Sequence, residues 1–370
     1  MATESPKQSP PNPRVAIVAL NWNGWRDTLE CLESVRHLEY PDFLMIVVDN
    51  GSQDDSIGRI KEWALERDGY LLVEYSEATA RAGGEVVQEQ SLAATLPANR
   101  AVLIRSPENY GRTGGVNIGV RYALLRNLSA DAVFLLDNDA EVDRDCIKAL
   151  VEVGKRENAG IVGGLTYDRE TKLLQYALRS TLLRFFFSPL VRSDLPLPEE
   201  SVDCWQSANV AGPAMLIQRE VLERIYSARG CYLMDAIFMD GEEFEFCYRS
   251  ILAGYRSIVT RKGFVWHKGE RFARRALSTK RYYYTTRNHM LLAGDFLPLH
   301  WWVLFHLYNL PLGFVRILKV LKTGRPDVAR AILCGMIDGY KGVKGKWKQH
   351  DDREGVQETL SPTISKSSVP

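Results

Sequence analysis

The sequence predicts an α/β fold: a mixed, mainly parallel sheet flanked by helices, with a helical extension towards the C-terminus. Three observations carry this. Short apolar runs recur at residues 15–20, 43–49, 101–104 and 133–136. Several are rich in β-branched residues, and each is continuous rather than alternating, the pattern of a strand buried on both faces. Segments with helical spacing separate the runs, and strand–helix alternation argues for a parallel sheet with covering helices. Finally, three of the strands turn polar at their C-terminal ends, Leu20 to Asn21, Val48 to Asp49 and Leu136 to Asp137. In open α/β sheets, ligands bind in the crevice beyond those ends.

The elements follow in order. The run "VAIVAL" is stopped by Asn21-Trp22-Asn23-Gly24. A helix comes next, with Asp27 placed to cap it and Leu29, Cys31, Leu32, Val35 and Leu38 on one face. Pro41 ends that unit. "FLMIVVD" is the second strand, closed by "NGSQDD" and followed by a helix over 56–67. Residues 76–100 are Ala-, Gly- and Glu-rich with little periodicity, and are expected to form a surface insertion, since long loops cost little extra entropy. The sheet resumes at 101–104, and a helix over 116–128 leads into the strand at 133–136. Later, Phe244, Cys247, Tyr248 and Ile251 form a helical apolar stripe with Glu242 and Glu243 in its first turn. "GFVWHKG" reads as a strand ending in His267.

Composition bounds the function. At 370 residues, 45% hydrophobic and 25% charged, the chain is an ordinary globular protein with a sizeable core. A net charge of +1 gives no sign of a nucleic-acid partner. The six cysteines are scattered without a CxxC, which argues against a metal cluster or disulfide framework and for a reducing compartment. The polar, Pro-rich start lacks the apolar region of a signal peptide, so a cytoplasmic location is expected.

Several motifs carry chemistry. Asp137-Asn138-Asp139 follows a buried strand. Two carboxylates so placed hold a hard divalent cation, Mg²⁺ or Mn²⁺, or else form a solvated turn. In "NYGRTGGVNIGV", Gly111, Gly114 and Gly115 let the backbone approach a ligand, Asn109 and Asn117 offer amides, and the following helix aims its N-terminus at an anion such as a diphosphate. The alternative is a plain glycine turn. Asp49 suits a nucleobase or ribose, or an Asx-turn. Trp22, between Asn21 and Asn23, suits base stacking or the core. His267 is either a metal ligand or structural. Asp240 and Glu243 are spaced as a capping box, which competes with a catalytic role for Glu243. Glu245 and Arg249 are spaced to pair on the solvent side.

In order, "VALNWNG", "VVDNGSQDDS", "ENYGRTGGVNIGVRYAL", "VFLLDNDAEVD", "IVGGLTYD", "ANVAGPAMLIQREVLERI", "MDGEEFEFCYRSILAGY", "VWHKG" and "YYYTTRNHMLL" resemble the family 2 glycosyltransferases of the GT-A (Rossmann-like) fold, especially rhamnosyltransferase-like members. The likeness runs from residue 14 to residue 345. It implies an inverting transfer from a nucleotide-diphospho-sugar to a saccharide or lipid-linked saccharide acceptor in cell-surface polysaccharide or glycolipid synthesis. It places Asp49 at the nucleobase. Asn21, Asn23, Asn109, Gly111, Gly115, Asn117, Asp137 and Asn138 fall in the donor pocket, and Asp137, Asp139 and His267 on the metal. Glu243, with Glu242 as runner-up, is the base, and Gly212 and Arg287 lie on the acceptor side. Two positions depart from the family: the base is Glu where Asp is usual, and Arg112-Thr113 stands where Phe-Ala is common. Arg112 either contacts the diphosphate or faces solvent. Two other readings are a sugar-1-phosphate nucleotidyltransferase and an inactive sugar- or lipid-binding scaffold. The first wants a Gly-rich, Arg/Lys-bearing signature after the first strand, where "NWNGWRD" has one Gly and one Arg.

The organisation expected is a disordered tail over 1–13, a catalytic domain over 14–270, a helical region over 271–348 and a second tail over 349–370. Within the helical region, 297–325 is rich in Leu and aromatics. His306, Asn309, Pro311, Arg316 and Lys319 interrupt it, so it falls short of a clean transmembrane helix. Trp301, Trp302 and the basic residues Arg316, Lys319, Lys322 and Arg325 suit peripheral contact with the inner face of the membrane. The competing reading is an amphipathic helix pair packed on the catalytic domain.

Overall fold

The computed structural model describes residues 12–126, 129–176, 186, 197–268 and 278–348. Both expected tails lie outside the described residues, apart from positions 12 and 13. The strands are β1 (Val15–Asn21), β2 (Phe43–Asp49), β3 (Leu71–Ser76), β4 (Arg100–Arg105), β5 (Ala132–Asp137), β6 (Ala140–Val142), β7 (Ile161–Asp168), β8 (Leu174–Tyr176), β9 (Cys204–Gln206), β10 (Met215–Gln218) and β11 (Ser257–His267). They form one sheet in the order β3-β4-β2-β1-β5-β10-β7-β11-β6, with β8 on β7 and β9 on β11. The half from β3 to β5 is wholly parallel. Strand β10 then runs antiparallel to both β5 and β7, while β11 is parallel to β7. The mixed, mainly parallel sheet is therefore present.

β1, β2 and β5 are buried on both faces because helices cover both, as their continuous apolar runs require. One face carries α1 (Trp25–Arg36), α2 (Ser56–Leu65) and α6 (Cys146–Glu157), which share a core with Ile17, Val47 and Phe134. The other carries α5 (Gly111–Leu125) against Val18, Val48 and Leu135. That helix begins at Gly111, five residues before the sequence pattern suggests. Its glycines pack a helix on a strand: a Cβ on Gly119 would lie 2.6 Å from Val18 Cγ1. Asp27 does not cap α1, whose N-cap is Gly24 without a side-chain bond. It is buried in the first turn, where it accepts from Lys268 Nζ at 2.9 Å.

Residues 76–100 are not a long loop. They hold α3 (Glu77–Arg81) and α4 (Val86–Ala94) and end beside β4. Leu92 and Ala80 are fully buried, and Glu89 accepts from Tyr122 Oη at 2.5 Å and Arg126 Nε at 2.8 Å. A buried charge paired on both oxygens anchors a segment whose own periodicity is poor.

The C-terminal unit comprises α9 (Thr279–Phe296), α10 (Leu299–Lys322) and α11 (Pro326–Tyr340), following α7 (Arg219–Arg229) and α8 (Glu242–Leu252) in the sheet domain. Met290, Phe305, Ile332 and Met336 pack with Ile237 and Phe244, so this unit shares a core with the loop before α8. α10 is one 24-residue helix with Pro311 inside it, rather than a helix pair. By length and composition alone it is long and apolar enough to cross a membrane.

Candidate active site

Parallel register brings the carboxylates to one edge. β5 lies between β1 and β10 and ends on Asp137. The chain turns through Asn138 and Asp139 into β6, which pairs with the end of β11 so that His267 stands opposite Ala140. His267 Nε2 is 3.2 Å from Asp139 Oδ1 and 3.8 Å from Asp137 Oδ2. One ligand atom from each of the three residues lies within 4.8 Å of the others. On the far side of the ring, Nδ1 is 3.1 Å from Gln175 Oε1. The amide nitrogen of Gln175 in turn donates to Asp168 Oδ2 at 2.9 Å. Because Gln175 presents its oxygen, Nδ1 carries the proton and Nε2 faces two carboxylates. A cation between them satisfies all three groups. Two carboxylates and an imidazole suit Mn²⁺ or Mg²⁺. These residues therefore fit the divalent ion the fold implies.

A second acidic group meets the first through one arginine. Arg112, in the first turn of α5, donates from Nη1 to Asp137 Oδ1. Its Nε is 2.7 Å from Glu242 Oε1 and its Nη2 is 3.4 Å from Glu243 Oε1. Burial opposes the charge on Arg112, but Asp137, Glu243 and Glu242 hold it protonated and push its pKa above the usual arginine value. Burial, and then the charge of Glu243, push Glu242 well above the carboxylate range. Gly212 leaves room for this cluster: a Cβ would sit 2.2 Å from Glu243 Oε1 and 2.6 Å from Arg112 Nη2 and push those side chains aside.

The capping box is not formed. The N-cap of α8 is Gly241 at φ 101°, with no side-chain cap bond, and Glu243 turns to Arg112 instead. The turn before it holds Phe238 at φ 66° and Asp240 at φ 64°, left-handed values that cost energy outside glycine. Glu245 and Arg249 do pair, but in the interior: their side chains are 0% and 7% exposed, and Arg249 also reaches Tyr232 O.

The asparagines and Asp49 build the walls. Asp49 is buried and accepts from Asn21 Nδ2 at 2.7 Å and from Oγ and N of Ser52, three residues on. Asn21 also accepts from Thr28 Oγ1 at 2.8 Å. Asn23, at φ 50°, accepts from Gln53 N. Asn138 donates to Thr28 Oγ1 at 2.9 Å. Asn109 and Gly111 are tied to Asn50, whose amide donates to both. Gly115 faces Leu20, where a Cβ would come within 2.2 Å of Cδ1, so it serves helix packing rather than the open groove. Asn117 bonds Leu233 and Asp235 and fixes the loop after α7. Trp22 is 51% exposed beside these walls, not in the core. Arg287 is fully buried and spends its donors on Ile237 O, Gly345 O and the neighbouring Asn288. Its place is structural, and the acceptor-side expectation for it is corrected.

Sequence reasoning missed Gln175, Asn50 and Thr28. Asn50 sits within "VVDNGSQDDS" but was given no role, Gln175 and Thr28 lie in none of the motifs, and each makes contacts far along the chain. The hub role of Arg112 was signalled only by its departure from the family pattern.

Comparison with known proteins places the family and the fold. The family model described as glycosyl transferase family 2 matches residues 15–83 and 89–226. The low-salt glycan biosynthesis hexosyltransferase Agl10 of Haloferax volcanii is 32% identical over 149 residues, 40% of this chain and 45% of that protein. The match thus spans less than half the length of this curated relative. Among solved structures, the mannosyltransferase PcManGT from Pyrobaculum calidifontis, in complex with GDP-Man and Mn²⁺, superposes at TM-score 0.54 with 16% identity over 91% of each chain. S. aureus TarS 1–349 in complex with UDP-GlcNAc superposes at TM-score 0.50 with 12% identity, over 89% of this chain and 81% of that one. At these identities the likeness is one of fold. Glu242, Glu243 and His267 lie beyond the stretch that the family model matches.

Proposed function

The chain belongs to glycosyl transferase family 2, and from that premise we propose that it moves a sugar from a nucleotide-diphospho-sugar to an acceptor hydroxyl, with inversion at the anomeric carbon. The observation that carries this reading is the convergence of Asp137, Asp139 and His267 with Glu243 across Arg112. A divalent ion on the first three supplies Lewis-acid stabilisation of charge growing on the departing nucleoside diphosphate. Asp137 and Asp139 hold their oxygens towards His267, and Gln175 fixes the ring in the tautomer that leaves Nε2 for the ion.

Glu243 is the base. Its side chain is 25% exposed, against 3% for Glu242, so it can meet an acceptor hydroxyl and take its proton on a carboxylate oxygen. Burial raises the proton affinity of Glu242 and leaves it almost no access to an acceptor. Attack from the side opposite the leaving group inverts the configuration. The complexes of structural neighbours with GDP-Man and with UDP-GlcNAc support a nucleotide-sugar donor, and the motif set puts rhamnose first among sugars to try.

The likeness to a glycan-biosynthesis hexosyltransferase supports a role in surface glycan synthesis. The outer face of α10 supports a lipid-linked acceptor met at the cytoplasmic face of the membrane. Leu307, Phe314 and Leu318 are more than half exposed there, and Lys319 and Lys322 lie in its last turn.

The test is nucleoside diphosphate release from a panel of UDP-, GDP- and dTDP-sugars with Mn²⁺, with the anomeric configuration of product read by NMR. Release that depends on Mn²⁺ and gives the inverted anomer is expected. Full turnover in excess EDTA, or a retained anomer, would overturn the mechanism.

A further inference from the structure

We propose that Arg112 is a second cation of the donor site, sharing Asp137 with the divalent ion and binding the diphosphate beside it. This rests on the donor reading above and assigns a residue where the family pattern offers none.

The geometry supports it in three ways. First, Asp137 is divided: Oδ1 accepts from Arg112, while Oδ2 faces His267. An ion held by Asp137, Asp139 and His267 therefore has a guanidinium as its neighbour across one carboxylate, and the two cations repel. Second, Arg112 is fixed from several sides. Gly111 at φ 75° sets the start of its helix, with Phe238 O so near that a Cβ would meet it at 2.4 Å. Gly212 closes on Nη2, and Glu242 accepts from Nε. A side chain held this firmly is preorganised for a ligand rather than swept by solvent. Third, a guanidinium has five N–H donors. Contacts to Asp137, Glu242 and Glu243 engage three directions and leave donors to meet phosphate oxygens, which a planar fork does well.

The consequence is a pair of effects of opposite sign. Neutralising Arg112 removes repulsion on the metal and removes a contact from the diphosphate. A scaffolding role predicts instead that both ligands weaken together.

The experiment compares wild type, Arg112→Gln and Arg112→Lys. Mn²⁺ alone is titrated by electron paramagnetic resonance, and UDP, GDP and dTDP are titrated by calorimetry at fixed saturating Mn²⁺. Arg112→Gln is expected to bind Mn²⁺ alone roughly tenfold tighter and the nucleoside diphosphate roughly tenfold weaker. Arg112→Lys should keep wild-type Mn²⁺ affinity and lose part of the nucleotide affinity, and it decides the matter if the Gln variant does not fold. Equal weakening of Mn²⁺ and nucleotide, or unchanged nucleotide affinity, overturns the role of Arg112 while the donor reading stands. Wild type that binds none of the three nucleotides with Mn²⁺ overturns the donor reading and the role together.

Discussion

At the edge of the sheet, Asp137, Glu242 and Glu243 crowd around one guanidinium, and Asp139 stands beside an imidazole. Along α10 the reverse holds: Leu299, Leu304, Leu307, Phe314 and Leu318 face outward, away from the core. Each region departs from what folding alone would choose. Like charges brought together raise the energy of the native state, and apolar side chains left in water forgo their burial energy. Departures of this kind concentrate where a protein meets something else. The difference lies in what would relieve them. Cations would relieve the first and an apolar surface the second, so the two regions call for different partners and can be broken separately.

The largest expected effect falls on the first region. Asp139→Ala removes a ligand from the middle of the metal set and should reduce turnover by roughly 10³-fold or more, with loss of the Mn²⁺ signal in electron paramagnetic resonance. Glu243→Gln should cut turnover by roughly 10²- to 10⁴-fold while nucleoside diphosphate affinity and melting temperature stay put. No cap bond involves its side chain, so stability should not confuse the result, and near-normal turnover would remove the base role from Glu243.

The second region is tested without touching the first. Leu307→Glu with Phe314→Glu places charge on exposed positions of α10. Flotation with anionic liposomes should fall by roughly 10²-fold, and turnover on a soluble acceptor should not change. Wild type that fails to float at low salt would remove the membrane contact altogether.

Smaller effects sharpen the account of the acidic cluster. Gly212→Ala forces the Glu243 carboxylate aside and should lower turnover by about tenfold, with little change in melting temperature because a flexible side-chain end yields. Glu242→Gln tests the buried acid through pH. Its proton affinity is raised in the fold by burial and by Glu243, so the protonated form stabilises the native state. That contribution is complete below the ordinary carboxylate value and is lost as pH rises through the raised one. The Gln variant mimics the protonated form throughout. It should melt about 2 °C above wild type at pH 8, and the gap should close towards about pH 4.

The two regions were unequally legible. β1, β2, β4 and β5 announce themselves because a strand covered on both faces must be apolar throughout. β3 escaped because it is an edge strand, half-buried on one face with Glu74 among its residues. The helices of 76–100 escaped because they are held by Glu89 reaching Arg126, a contact 37 residues away. At the site, the strand-end carboxylates were visible as a local oddity. Their meeting with His267, 128 residues beyond Asp139, follows from β6 pairing with β11, which no local pattern encodes. The glycines near 111–119 were visible but suggested a loop, when Gly115 and Gly119 mainly let α5 lie against β1. Asp240 and Glu243 had the spacing of a cap, and the left-handed turn at Asp240-Gly241 removed it.

Arg287 carries a consequence for exchanging parts between relatives. From α9 it grips the carbonyls of Ala236 and Ile237, while Asn288 holds those of Met239 and Asp240. The turn that delivers Glu242 and Glu243 thus hangs from the C-terminal helices. A chimera that keeps this sheet and grafts on another protein's tail would inherit a loosened Glu242-Glu243 turn. Swapping the tail will succeed only if the Arg287-Asn288 pair and its five carbonyl partners travel as a single module.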